Sequence, residues 1–470
     1  MDKFARIQSI EITNFKNVSY GFVDFCNYGR TNENYENNIG AIYGQNGSGK
    51  TALIDAISIV KNLILGSMLP SDMDKYVKLG CDTCSINTTF YVVEKKIPQK
   101  ISYFVEFLRK DDRVIVSKEQ IKYHKKISKD SWSNFVEYIG YESLENKLLI
   151  TPQTIFREIS KSKMVEALVA QSLSQRINPN NNSPESTSLI FSKGFIEILK
   201  SLDSAKKINP IINLLRNFVS LNLIIIEDKK FGGISENIHA IPIYTRTEIG
   251  HKGLAIGSIP IQIDSKTEIP EMLLPIYKSF VMQINTVLPT IIPGITLKMT
   301  SIEKVPLRNG AKGITFSMVT IRENQEINLK YESAGIKKIL CILSSLIATY
   351  NNPDVCFVVD ELDSGIFEYL LGQIITVFKK DSKGQLIFTS HNLHVVEILD
   401  NESLFFTYFN SKNAYAHLPK VKPNNNKRLL YLKQIELSEN GILYNKTNQY
   451  EMSFAFEIAN LVSKEGEAIE

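Results

Sequence analysis

Ten residues, Ile42–Thr51 (I-Y-G-Q-N-G-S-G-K-T), constrain this chain more than any other stretch. They fit G-x-x-x-x-G-K-[ST], with Gly44, Gly49, Lys50 and Thr51 at the defining places. Glycines let consecutive backbone N–H groups turn inward around phosphate oxygens, which a Cβ would obstruct. The lysine brings a point charge to the β- and γ-phosphates, and the threonine hydroxyl can ligate Mg²⁺. A helix starting here adds the partial positive charge of its N-terminus. The flanks agree. Asn38–Tyr43 reads as a short buried strand, and Leu53, Ile57, Val60 and Ile64 recur at helical spacing up to Gly66, a candidate cap. The expected phosphate-binding set is Gly44, Asn46, Gly47, Ser48, Gly49, Lys50, Thr51 and Ala52.

The chain has 470 residues, enough for two or three domains. Its net charge of +4 is too small on that length to imply nucleic acid. One local basic cluster, Lys122, Lys125, Lys126 and Lys129, reads as a solvated edge strand guarded by lysines; nucleic-acid contact is the alternative. No apolar run reaches the ~18 residues of a membrane span, and no signal-peptide pattern opens the chain. Five cysteines suit a reducing compartment, so the expected location is cytoplasmic. Cys81 and Cys84 form one C-x-x-C. Zinc would want a second pair, which Cys26, Cys341 and Cys356 do not supply, and the last two read as core.

Arg6–Val18 reads as a first strand ending in a polar turn at Asn14–Asn17, with Tyr20–Phe25 as its hairpin partner. Cys26–Asn37 is loop-like. Four alternating runs, Ile86–Val93, Ile101–Leu108, Val114–Tyr123 and Phe135–Tyr141, predict a β-meander. Glu158–Arg176 and Gly194–Ser220 carry helical patterning around a turn at Asn178–Pro184, too short and without the heptads of a long coiled coil. Leu221–Glu227 is a strand candidate; Glu236–Ile269 is strand and loop; Glu271–Val287 is helix. Ile295–Thr300, Gly313–Ile321 and Ile327–Tyr331 read as strands. Leu404–Tyr408 with Ala414–Leu418 predicts a closing hairpin, Pro423–Arg428 a loop, and the last seven residues a frayed acidic end.

A second set of residues completes a site. Ser333 in Y-E-S-A-G is a good N-cap for a helix whose stripe Ile336, Leu340, Leu343 and Ile347 runs to Asn351-Asn352-Pro353. Val355–Glu361 (V-C-F-V-V-D-E) is a continuous apolar run typical of a buried parallel strand, ending in two carboxylates where such sheets place ligands. Asp360 can hold the hydration shell of Mg²⁺, and Glu361 can orient or deprotonate an attacking water. Gly384–His391 is another buried strand, and His391 at its end can reach a γ-phosphate; His394, a turn later, has no such claim.

Together these residues resemble an ABC-type ATPase head of the SMC/RecF/OLD group. The Walker A loop is G-Q-N-G-S-G-K-T, the signature E-S-A-G, the Walker B strand V-C-F-V-V-D-E and the switch F-T-S-H-N; the opening I-E-I-T-N-F-K-N-V also looks like that group. Within it, Asp360–Gly372 points to small ATPases of bacterial anti-phage systems, such as the AbiL/RloA-like proteins and the AriA subunit of PARIS. The resemblance implies an α/β P-loop fold of ABC-ATPase type: a mixed sheet core, an antiparallel β-subdomain and a short helical insertion. Residues 1–150 would hold the Walker A half with the meander, 151–300 the insertion and connecting strands, and 301–470 the signature, Walker B and switch half. It implies ATP and Mg²⁺, with Thr51 and Asp360 as metal ligands. In such sites a glutamine between core and helical lobe often joins them; Gln153 is the candidate, Gln99 and Gln120 its rivals, and a surface role the alternative. It also implies a homo-oligomer, with ATP on Lys50, Thr51 and Asp360 of one subunit capped by Ser333 and Gly335 of another. Asp363 and Ser364 follow where a cross-subunit contact loop would lie. The pattern departs from the transporter signature L-S-G-G-Q, so no membrane partner is expected.

The expected catalytic residues are Glu361, His391 and Lys50. Only 79 residues follow His391, with no D-x-D, so no nuclease is expected in this chain. A toxic effector, a nuclease from the same operon, would be a separate polypeptide, and a phage protein the trigger. The alternative is a RecF-like repair ATPase that binds DNA, and a third reading is a nucleotide-dependent scaffold with negligible turnover.

Overall fold

The chain opens as a hairpin of β1 (Lys3–Phe15) and β2 (Val18–Asp24), turned by left-handed Asn14 and Lys16. Then β3 (Ile39–Tyr43), buried at every residue, feeds α1 (Lys50–Ile64). The meander follows as β4 (Thr83–Glu94), β5 (Ile97–Lys110), β6 (Arg113–Ser128), β7 (Ser131–Trp132), β8 (Val136–Leu144) and β9 (Lys147–Thr151). It is continuous with the opening hairpin, in the order β2-β1-β4-β5-β6-β8-β9 with β7 on β6, all antiparallel. The computed structural model describes residues 3–25, 39–94, 97–110, 113–128, 131–144, 147–160, 176–177, 184–185, 187–227, 240–248, 254–308, 310–409, 412–418, 428–429, 431 and 448–466.

The edge-strand reading of the lysine cluster is corrected by this order. β6 lies inside the sheet, between β5 and the pair β7 and β8. Ile121 is fully buried, and alternation sends Lys122 to the opposite face, across from Ser102. An antiparallel sheet with one wet face accommodates lysines on interior strands as readily as on edges. Lys129 lies outside the described residues, as do Cys26, 27–38 and the Asn178–Asn182 stretch.

The middle of the chain begins with α2 (Gln153–Ser160), α3 (Lys193–Ser201) and α4 (Asn209–Asn217). The single helical run expected over Gly194–Ser220 breaks at Leu202, which is extended, and restarts with Pro210 in the first turn of α4. β10 (Leu223–Ile226) follows. β11 (Ala240–Glu248) and β12 (Leu254–Gln262) form a hairpin, and β13 (Thr267–Pro270) leads to α5 (Leu274–Ile291). β14 (Ile295–Pro306), β15 (Lys312–Arg322) and β16 (Gln325–Asn328) come next. The strand expected over Ile327–Tyr331 stops early, because the Asn328 side chain accepts from the Lys330 N–H and caps a 3₁₀ turn over Leu329–Tyr331.

The last third is α6 (Ala334–Asn351), β17 (Cys356–Val359), α7 (Glu368–Asp381), β18 (Gln385–Ser390), α8 (Leu393–Ile398), β19 (Leu404–Thr407), β20 (Tyr415–Ala416) and α9 (Gln449–Gly466). α9 was not legible as a helix: Lys464–Gly466, expected to fray, belong to it, while 467–470 lie outside the described residues. Among the described residues the longest helices have 18 residues, and none is long and apolar enough to cross a membrane.

The central sheet runs β10-β17-β18-β3-β19-β20, its first five strands parallel. One of them, β10, comes from the middle of the chain. Alternate residues enter two separate cores. Ile42, Val358, Ile387 and Phe405 pack with α1 and the antiparallel sheet; Ala41, Phe357, Phe388 and Phe406 pack with α5, α6 and α7. Both faces are dry, so these strands read as unbroken apolar runs. Cys84, Cys341 and Cys356 are buried and form no disulfide. Burial pushes the Cys84 thiol up to about 12, which disfavours the thiolate that zinc would need.

Candidate functional site

All expected phosphate-loop residues lie between the carboxyl end of β3 and the first turn of α1. Gly47 and Gly49 have φ of 75° and 104°, conformations that side-chain-bearing residues rarely adopt. A Cβ at Gly44 would collide with the Thr407 hydroxyl, and one at Gly49 would meet Val18. Neighbouring elements hold the loop from outside. Ser48 Oγ donates to Gln45 O and lies 2.5 Å from Thr407 Oγ1 on β19. The Tyr415 hydroxyl donates to Gly49 O at 2.7 Å, and Asn17 in the β1–β2 turn donates to Gly47 O. Space around Gly47 is open on the side a Cβ would take.

Lys50 folds back over the loop, donating to Gly44 O and Gln45 O, each at 2.9 Å. It is only 5% exposed. Burial lowers its ammonium to about 8, opposed by the carboxylates of Glu361, Asp360 and Asp363. Those three carboxylates stand close enough to act on Lys50 electrostatically, so the structure brings both halves of the expected site together.

The carboxylates are placed by strand order. β17 and β3 flank β18, so all three carboxyl ends open on the same edge. Asp360 is 1% exposed, and its backbone N–H donates to Ile226 O on β10. Thr389, at the end of β18, donates to Asp360 Oδ1 at 2.5 Å and accepts from the Glu361 N–H at 2.7 Å. Glu361 has a left-handed backbone, φ 49°, costly for a residue with a side chain and held only where surroundings over-determine it. They do so here: Lys338 of α6 donates to the Glu361 carbonyl at 2.5 Å, and the Ser364 N–H donates to it at 3.1 Å. His391 Nε2 stands 3.7 Å from Glu361 Oε1, and the His391 backbone N–H donates to Asp363 Oδ2 at 3.0 Å. His394 instead pairs with Glu397 on its own helix.

Ser333 caps α6, accepting from the Ile336 N–H, and is exposed with Ala334. A Cβ at Gly335 would collide with Gly365 O, so the signature turn rests on the loop that follows Glu361. Gln153 starts α2 beyond β9, is exposed, and its side chain accepts from Arg157 of the same helix; β9 is five strands from β1 in the antiparallel sheet. Thr389, Thr407 and Lys338 were missed as site residues. None belongs to a motif by spacing, and only strand adjacency shows their work.

Thr51 and Asp360 suit Mg²⁺, which takes one or two protein oxygens and keeps the rest for phosphates and water. Among the described residues no three acidic, His or Cys side chains converge into a self-sufficient metal cage. The buried Asp363 Oδ1 has no hydrogen-bond partner among the described residues, leaving an acceptor at the same edge. When bound, the ion would neutralise charge on the β- and γ-phosphates.

Residues 6–396 match the family model described as an AAA ATPase domain. The chain belongs to that family. It is an ATPase. Solved structures similar to it include the SMC head domain from Thermotoga maritima, 12% identical over 89% of this chain and 100% of that one, with a TM-score of 0.36. Another is the Pyrococcus furiosus Smc head bound to the C-terminal domain of ScpA, 12% identical over 92% and 100%, TM-score 0.40. The recombination mediator RecF with ATP is 14% identical over 88% and 100%, TM-score 0.38. No curated protein shows significant sequence similarity to the chain.

Lys50 gives this ATPase a pH signature. With its ammonium near 8 in the free chain, a bound triphosphate would raise it, so nucleotide binding takes up a proton above pH 8 and weakens as pH rises further. Calorimetry in buffers of differing ionisation enthalpy should count close to one proton taken up per ATP at pH 9 and almost none at pH 7. A count that stays at zero from pH 7 to 9 would contradict the buried-lysine geometry.

Proposed function

We propose that this ATPase is the sensor subunit of a bacterial anti-phage system of the abortive-infection type, controlling a separate toxic effector through ATP-dependent assembly of its own copies. The observation that supports assembly is the bare signature turn. Ser333 and Ala334 are exposed beside the Glu361–Gly365 loop, rimmed by Tyr331 and Phe367, which are 78% and 75% exposed. A helix N-terminus set among exposed aromatics suits the γ-phosphate of a second copy. ATP held by Lys50, Thr51 and Asp360 of one chain is then capped by Ser333 and Gly335 of the other. Glu361 takes the proton of the attacking water, and His391 steadies the γ-phosphate. Lys338 ties each chain's capping helix to its own Glu361 backbone, so capping the neighbour's ATP is mechanically linked to water activation at the chain's own site. Hydrolysis removes the bridge and favours separation. The effector, on this reading, is a nuclease from the same operon, and a phage protein is the trigger.

A second reading, a DNA-binding repair ATPase of the RecF kind, is favoured by one surface. The His124 ring stacks with Trp132 and with Phe135, and Lys100 lies 4.6 Å from the Trp132 ring centre. Such alternation of rings and cations suits nucleic acid. One purification decides. Tagged chain drawn from its own operon, before and after phage infection, should carry the neighbouring gene product at high salt. Recovery of DNA that is lost steeply with salt, and of no protein, would favour the second reading.

A further inference from the structure

Two apolar surfaces lie uncovered among the described residues, a helix and a groove. The first is α9. Within nine residues it exposes Tyr450 (88%), Met452 (43%), Phe454 (62%), Phe456 (79%) and Ile458 (40%). Tyr450, Phe454 and Ile458 form one i, i+4, i+8 stripe, and Met452 with Phe456 a second. A helix apolar on more than one side is ordinarily buried. The second surface is an apolar groove of about 860 Å³ between α5, α6, α7 and α8. Its walls include Ile291, Leu346, Ile347, Leu370, Ile374 and Val377. Val377 is 51% exposed, and Tyr369 at the same groove is 62% exposed.

We propose that α9 of one copy docks into the α5–α8 groove of a second copy, by reciprocal exchange and without nucleotide. The stripe of Tyr450, Phe454 and Ile458 brings two aromatic side chains of about 150–250 Å² each, and in a reciprocal exchange every partner buries both its helix stripe and its groove walls, which together approach the ~800 Å² per partner of a stable interface. The chain also has the reach. It is anchored next to the groove, where Arg428 lies 3.7 Å from Glu397 of α8, and Tyr431 packs on Tyr43 and Phe406. From Tyr431 to Asn448 is 17 residue steps, at most about 60 Å when extended. That span would also reach the chain's own groove, yet α9 stands exposed in the single chain, which leaves the neighbour's groove as its seat. The groove follows α6 from Leu343 to Asn351, about 15–27 Å of helix from Ser333, and meets the start of α7 at Tyr369, two residues from Phe367 of the signature rim.

The test is cross-linking of the full chain without nucleotide. Chains carrying Val377→Cys are mixed with chains carrying Phe454→Cys and treated with a short bismaleimide. Each variant alone serves as control for the native thiols. An interchain product that needs both variants is expected. A product formed only within one chain carrying both cysteines would overturn the proposal in favour of self-docking, and no specific product would overturn it outright. Phe454→Asp with Phe456→Asp gives an independent reading, since both side chains are solvent-exposed and the fold does not need them. Native mass should then drop from dimer or larger to monomer. A mass unchanged by the two charges, or wild-type chains that stay monomeric and bind phosphatidylglycerol vesicles through α9, would contradict it.

Discussion

Replacing Glu361 by glutamine is expected to slow ATP turnover by about 10²–10⁴-fold while ATP still binds, the range over which a positioned general base acts. The amide keeps the shape of the side chain and loses the ability to take a proton. The backbone should not move, because Thr389 and Lys338 hold it from both sides at φ 49°. The substitution has one side effect that can be read separately. Among the carboxylates that raise the Lys50 ammonium, Glu361 acts most strongly, so its loss lets burial push Lys50 further down. Binding in the variant should therefore match the parent at pH 7 and weaken sooner as pH rises. Single-turnover hydrolysis and equilibrium ATP binding, both at pH 7, separate the two effects. Hydrolysis at the parental rate would remove Glu361 from its role.

Ser333→Arg is the second large effect expected. The residue is exposed in the single chain, and the lost N-cap costs only about 0.5–2 kcal/mol of stability. The chain should fold and bind ATP, because Lys50 and its loop are untouched. Turnover should nevertheless fall by about 10²–10³-fold, the usual consequence of losing preorganised donors at a charged transition state. A guanidinium stem at the turn leaves no room for a γ-phosphate at the helix N-terminus. Steady-state ATPase with parallel thermal melts checks this; a variant that melts like the parent and hydrolyses like it would contradict the shared site.

Much of the nucleotide edge was legible because its residues report on themselves. The phosphate loop requires glycines at positive φ, and Gly47 and Gly49 have it. The runs Val355–Val359 and Gln385–Ser390 read as buried parallel strands because α1 and α6 cover both faces of the sheet. What stayed hidden depends on neighbours distant in sequence. Thr389 serves Asp360 only because β17 and β18 are adjacent, and Thr407 props Ser48 across 359 residues. Gln153 looked suitable by position along the chain, and its side chain is engaged by Arg157 of its own helix. The lysines of β6 suggested an edge because charge marks a wet face, and the pattern does not say how many strands lie beyond. α9 was overlooked because its apolar residues lack the one-sided spacing by which a helix packed on its own domain is recognised.

The shared site is tested most directly by mixing two inactive chains. Lys50→Ala cannot hold the triphosphate, and Ser333→Arg cannot cap a neighbour's. Each alone should be inactive. In a mixed two-fold pair, one site combines an intact Lys50 with an intact Ser333, while the other carries both lesions. Random pairing of equal amounts should restore about a quarter of the parental ATPase rate if the sites act independently. A mixture that stays as inactive as its components, although mass measurement shows mixed pairs, would contradict an ATP site built from two copies of this chain.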